Sequence, residues 1–239
     1  MGSSKIMKKL ILKILLFIII FGSLFCGLSL LHEKCSTDIK ANNFPSGFDD
    51  YTSGIESYQT GDFSLAMNCW LKASAQGYAP AERNIGDLFY LGKGVSKNYK
   101  EAMEWYGKAS AKGDVPAEII IGTFYENGEG VKKDFKEALK WYQKAAAQGN
   151  ETAETKIGHF YDRGIGVTQN HQEAMKWYLK AAAHESDAQE SMGELYENGF
   201  WGEGRKDYAK ALEWYKKSAD QGNEIAMQKY EELKNRMGK

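Results

Sequence analysis

The chain has few of the residues on which chemistry is usually built. Its 239 residues include three cysteines and four histidines. No C-x-x-C pair occurs, and no histidine stands in H-E-x-x-H or another Cys/His zinc spacing, so a zinc site has no evident ligand set. G-x-S-x-G is absent and no serine stands out beside a base, which removes the usual hydrolase nucleophile. Gly128-x-Gly130 follows a helical pattern rather than a strand and lacks a third glycine. Gly92-Lys93-Gly94 misses the Walker spacing, so neither string reads as a phosphate cradle. An excess of one charge is lacking as well: the formal net charge is −1. Residues 1–34 carry +4, from Lys5, Lys8, Lys9, Lys13 and Lys34 against Glu33, which leaves −5 for the rest. A mildly acidic body is a poor partner for phosphate backbones, and nucleic acid is not expected as a ligand.

Long hydrophobic runs are also scarce, with one exception. Ile14–Leu31 is 18 residues without a charge, preceded by four lysines. As a helix it spans roughly 27 Å, close to a hydrocarbon core. A cleaved signal peptide has a shorter apolar stretch and a clearer small-residue site than Gly27 and Ser29 provide, so length favours an uncleaved anchor. Signal cleavage remains the alternative. In both readings the lysines stay cytoplasmic and the rest crosses. Lipid attachment is not expected, because Cys26 follows Phe25 and Cys35 follows Lys34. Residues 35–47 read as a polar linker. A Cys35–Cys69 disulfide is an open alternative to a free, packed Cys69. Asn150-Glu151-Thr152 is a sequon, or simply a turn.

What the chain has in abundance is repetition. Trp105-Tyr106, Trp141-Tyr142 and Trp177-Tyr178 stand 36 residues apart, and Trp214-Tyr215 follows 37 later. Gly77, Gly113 and Gly149 keep the same step, as do Gly86, Gly122 and Gly158. A fixed period of this size means stacked supersecondary units that bury their apolar faces on one another. The unit, cleanest in AEIIIGTFYENGEGVKKDFKEALKWYQKAAAQG from Ala117 to Gly149, resembles the Sel1-like repeat, a relative of the tetratricopeptide repeat. The resemblance covers about residues 48–237. It implies an all-α fold, a right-handed α/α superhelical solenoid of about five helix-turn-helix repeats that binds other proteins. Some cysteine-rich members have been linked to penicillin binding or β-lactamase activity. This chain lacks their paired cysteines, and an enzyme-linked reading (a cell-wall hydrolase or β-lactam-handling protein) has no side-chain constellation behind it.

Within a unit, helix A is expected to begin near Ala81, Ala117, Ala153 and Ala188, with Pro80 and Pro116 just before it. The recurring glycine inside helix A predicts that another helix approaches closely there. Asn98 with Glu101, Asp134 with Glu137 and Asn170 with Glu173 read as capping boxes that open helix B. The Trp-Tyr pair reads as core, and Cys69 takes the tryptophan slot of the first unit. His171 falls in an aromatic slot, while His159 is expected to face outward. The segments are then 1–34 anchor, 35–47 linker, 48–79 a divergent tetratricopeptide-like unit, 80–223 four Sel1-like repeats, and 224–239 a capping helix with a polar outer face.

Turning 100° per residue away from the apolar stripe of helix A picks out Arg83, Asp87 and Tyr90; Ile119, Thr123 and Glu126; Thr155, His159 and Asp162; and Glu190, Glu194 and Glu197 as exposed. Six of these are acidic and one is basic. Helix B offers lysines instead. The expectation is a protein-binding scaffold, with no cofactor, metal or catalytic residue. It is tethered to the cytoplasmic membrane through one span, with its repeats on the outer side, or free there after cleavage. The partner is a protein or peptide, with a basic segment if the acidic groove selects it. The contact residues expected are Asp87, Tyr90, Thr123, Glu126, His159, Asp162, Glu190, Glu194 and Glu197.

Overall fold

The computed structural model describes residues 45–202 and 204–238. The expected anchor, the linker up to residue 44 and Cys35 lie outside that range. Eleven helices and no strand occur among the described residues. They pair as helix A and helix B of successive repeats: α1 (Phe48–Gln59) with α2 (Phe63–Ala75), α3 (Ala79–Leu91) with α4 (Tyr99–Ala111), α5 (Val115–Asn127) with α6 (Phe135–Ala146), α7 (Glu151–Arg163) with α8 (His171–Ala181), and α9 (Ser186–Asn198) with α10 (Tyr208–Asp220). A last helix, α11 (Glu224–Met237), follows. Each helix packs mainly on its neighbours in sequence, the arrangement of a solenoid. None of the described helices is long and apolar enough to cross a membrane.

The glycine inside helix A does mark a close approach, and what approaches is the helix B tyrosine. A Cβ on Gly122 would lie 2.6 Å from Cε1 of Tyr142, and Gly86, Gly158 and Gly193 meet Tyr106, Tyr178 and Tyr215 in the same way. Those four tyrosines are at most 1% exposed. In the first repeat Gly54 faces Trp70 instead.

The tryptophans are a correction to the sequence reading. Trp105, Trp141, Trp177 and Trp214 are half-buried, not core. Each packs on the apolar cluster that joins helix B of the preceding repeat to helix A of its own. A lysine one turn on covers the outer ring face, Lys108 at 3.5 Å from the Trp105 centroid and Lys180 at 3.9 Å from that of Trp177. Tyrosine thus packs on its own helix A and on that of the next repeat, while tryptophan covers the junction with the repeat before.

Helix A starts two residues earlier than expected. Asp114 and Asn150 are the true caps, accepting from the backbone N–H of Ala117 (2.8 Å) and Ala153 (2.9 Å), so Pro80 and Pro116 sit inside the first turn. The helix B boxes are only half formed. Asn98, Asp134 and Asn170 accept from the N–H three residues on, yet their own N–H groups donate to Phe89, Tyr125 and Tyr161 of helix A. With that donor already satisfied, Glu137 and Glu173 turn to Lys140 and Lys176. The capping helix packs on α10 through Leu233 and Tyr230, and its outer face is not wholly polar, since Ile225 and Met227 stand exposed.

Candidate functional site

The positions read as one strip do lie together on the A helices, but they are more enclosed than expected. Thr155 is buried and the other eleven are half-buried. Links between successive A helices make the strip continuous. Arg83 Nε donates to Asp114 at 3.1 Å, Lys156 lies 3.8 Å from Glu126, and His159 Nε2 stands 3.2 Å from Ser191 Oγ. Lys229 of α11 bonds both Glu190 and Glu194.

Most of the carboxylates are already engaged by the protein itself. The Tyr106 hydroxyl donates to Asp87 at 2.8 Å, Tyr142 to Glu126 at 2.6 Å and Tyr215 to Glu197 at 2.8 Å. These tyrosines titrate far above their usual range, through burial first and the neighbouring carboxylate second. Burial raises the Asp87 carboxyl, with the Tyr106 hydrogen bond working in the opposite direction. Glu197 also accepts from Arg236 at 2.6 Å. The acidic end of the strip is therefore neutralised in large part by α11, which a helical-wheel projection of helix A alone could not reveal.

Tyr90 packs against Tyr99 and Phe124 at 5.5 and 5.6 Å between centroids, and Thr123 lies 3.2 Å from the Tyr142 hydroxyl. His159 does not face outward. Its ring meets Tyr178 edge-on at 5.4 Å, and burial, then Arg163 and Lys156, lower its pKa. Asp162 pairs with His171 Nδ1 at 2.7 Å instead of accepting a hydrogen bond from a tyrosine hydroxyl. The Tyr178 hydroxyl is accordingly buried with no carboxylate to donate to. The helix B lysines are not all a solvated face either. Lys144 lies 3.0 Å from Glu118, a carboxylate that is 1% exposed. Among the described residues no cluster of three His, Cys, Asp or Glu side chains could hold a metal. The strip offers hydrogen-bond donors and acceptors, ring faces and paired charges, the makings of a recognition surface.

The comparisons agree with this architecture. The family model described as Sel1 repeat matches residues 51–78, 79–114, 115–150, 152–185 and 186–223, the first unit included. A Sel1 repeat protein from Oxalobacter formigenes is 34% identical, with a TM-score of 0.70 and 77% of each chain covered. A protective antigen of uropathogenic Escherichia coli with the same repeat fold is 30% identical with a TM-score of 0.73. That match covers 87% of this chain and 44% of the antigen, so the chain spans less than half of that relative. An immunity protein from Pseudomonas aeruginosa is 25% identical, with a TM-score of 0.51 over 77% of this chain and 69% of its own. No curated protein matches significantly. Repeats of this kind are generally non-catalytic scaffolds for protein interaction. Five matches in register across the helical stack show that the chain belongs to the Sel1 repeat family.

Proposed function

We propose that the protein is a membrane-tethered scaffold on the outer side of a bacterial cytoplasmic membrane, and that its helix A strip holds a segment of another protein. The observation that carries this is the continuity of the strip. Asp87, Tyr90, Thr123, Glu126, His159 and Asp162 recur at matched positions of three consecutive A helices, half-buried and cross-linked from repeat to repeat. Glu190, Glu194 and Glu197 extend the strip, and there Lys229 and Arg236 fill the place of a basic partner. The uncharged run Ile14–Leu31 behind four lysines supports the tether.

The test places a photo-crosslinking residue at Thr123 or at Lys140 of the full-length protein in cells. A partner protein is expected on Thr123 and not on Lys140, whose side chain points away on helix B. Equal cross-linking from both sites would sink the assignment of the binding face. Independently, the protein should stay with membranes through a carbonate wash, and a mature N-terminus near Leu30 would replace the tether with a secreted form.

A further inference from the structure

Among the described residues, one repeat departs from an arrangement the other four share, and a cleft lies there. In four of the five repeats a basic side chain lies over the ring that opens helix B. Lys93 covers Phe63 at 5.4 Å, Lys97 covers Tyr99 at 4.7 Å, Lys133 covers Phe135 at 4.6 Å and Arg236 covers Tyr208 at 4.9 Å. The second and third of these rings pack edge-on against the phenylalanine of the next helix A, Tyr99 on Phe124 and Phe135 on Phe160.

In the fourth repeat every member of this set changes. The loop position of Lys97 and Lys133 is Gln169, whose amide donates to the Asp162 carbonyl at 2.7 Å. The ring is His171, and the residue in the phenylalanine position is Leu195. At its described glycines the longer loop after α9 approaches helix B less closely, a Cβ on Gly202 meeting only the Gln172 side chain at 3.5 Å. Gly130 and Gly166 press on Tyr99 and Phe135, whereas a Cβ on Gly204 would meet nothing within 4 Å. Phe200 from that loop stacks flat on His171, 4.1 Å between centroids, and remains 44% exposed. The result is a cleft of about 380 Å³ whose walls include His171, Phe200 and the carboxylates of Asp162 and Glu194. Arg163 also borders it.

We propose that this cleft receives a lysine or arginine side chain of the partner. The incoming cation takes the place over the ring pair that a lysine or arginine of the protein itself fills in the other repeats. Asp162, paired here with the His171 ring, supplies the counter-charge and Phe200 the ring face, while Glu194 is shared with Lys229. The proposal rests on the helix A strip being the binding surface, and it names the partner's chemistry at one point of it.

The test uses the full-length protein with isotope-labelled histidine, whose four histidines give four ring signals. N-acetyl-arginine methylamide and its lysine counterpart are titrated against the uncharged citrulline analogue and the anionic glutamate analogue. The arginine and lysine probes should move the His171 signal and the citrulline probe should not. Gln169→Lys, which restores the loop lysine, should weaken arginine-probe binding by about fivefold or more, and Phe200→Ala should do likewise. Lys140→Gln should leave it unchanged. An unmoved His171 signal, an equal response to citrulline, or undiminished binding by Gln169→Lys would each overturn the proposal. A response to the glutamate probe alone would make the cleft an anion site built on Arg163 and overturn it too. Persistent cross-linking at Thr123 with no arginine response condemns the cleft alone. Loss of that cross-linking with the arginine response intact condemns the strip alone.

Discussion

At the scale of single residues, the glycine–tyrosine contact is the most demanding feature of the repeat. A methyl group at Gly122 would meet ring carbons of a fully buried tyrosine at 2.6 and 2.9 Å, with no flexible chain end to yield. Gly122→Ala should therefore destabilise by about 1–3 kcal/mol, the usual cost of overpacking. Gly107, inside α4, has open space where its Cβ would be, so Gly107→Ala should stabilise by about 0.5–1 kcal/mol through helix propensity. Urea unfolding of the two variants should give shifts of opposite sign, and matching signs would mean that the tyrosine ring can move aside. His159 gives a second residue-level expectation. Its pKa is depressed below the ordinary 6.5 by burial, so the unfolded chain binds the proton more readily than the folded one. The stability this contributes is present above the unfolded pKa and is lost as pH falls below it towards the folded value. Melting temperature should drop between neutral pH and about pH 5, and His159→Gln should lose part of that drop. An unchanged pH profile in the variant would show that carboxylates alone set the acid response.

At the scale of elements, what could be read in the sequence was whatever repeats within one helix. The helix B caps at Asn98, Asp134 and Asn170, the glycine of close approach and the packing face all follow from local spacing. The partner of each group did not. The helix B cap N–H groups bond to helix A carbonyls about nine residues back, so the reciprocal glutamate arm has nothing left to satisfy. Tryptophan and tyrosine stand side by side and differ by 100° around the helix, so they cannot both point into the same core. Only a neighbouring repeat, invisible to a helical wheel, tells which one faces it. This difference can be measured. Tyr142→Ala empties a fully buried site and should cost about 3–5 kcal/mol. Trp141→Ala removes a half-buried ring under Lys144, 4.9 Å from its centroid, and should cost less, about 1–3 kcal/mol. Equal losses in denaturant unfolding would return both rings to the core.

At the scale of the whole molecule, the number of repeats and their order were legible because a period is a property of the chain. The charge map was not, because it depends on contacts between residues more than thirty positions apart. Helix α9 carries Asp187, Glu190, Glu194 and Glu197 and no basic residue, which on sequence alone reads as an open acidic patch. Lys229 and Arg236 of α11 come back across it. Burial opposes the charge on Lys229, yet Glu190 and Glu194 more than offset this and its pKa is raised. The stack therefore ends on an electrostatic closure, with only Ala226 and Leu233 of α11 fully buried beneath it. In a solenoid such an end can open without the rest, since each repeat leans only on its neighbours. Raising salt to about 1 M shortens the screening length to about 3 Å and should weaken the half-exposed pairs. Amide hydrogen exchange should then accelerate in α11 and the adjoining part of α10, while α5 to α7, held by buried tyrosine and phenylalanine rings, stay protected. Lys229→Glu should produce the same pattern at low salt. If α11 exchanges equally slowly in low and high salt, apolar contact alone closes this end; if exchange rises uniformly along the chain, the repeats unfold as one unit.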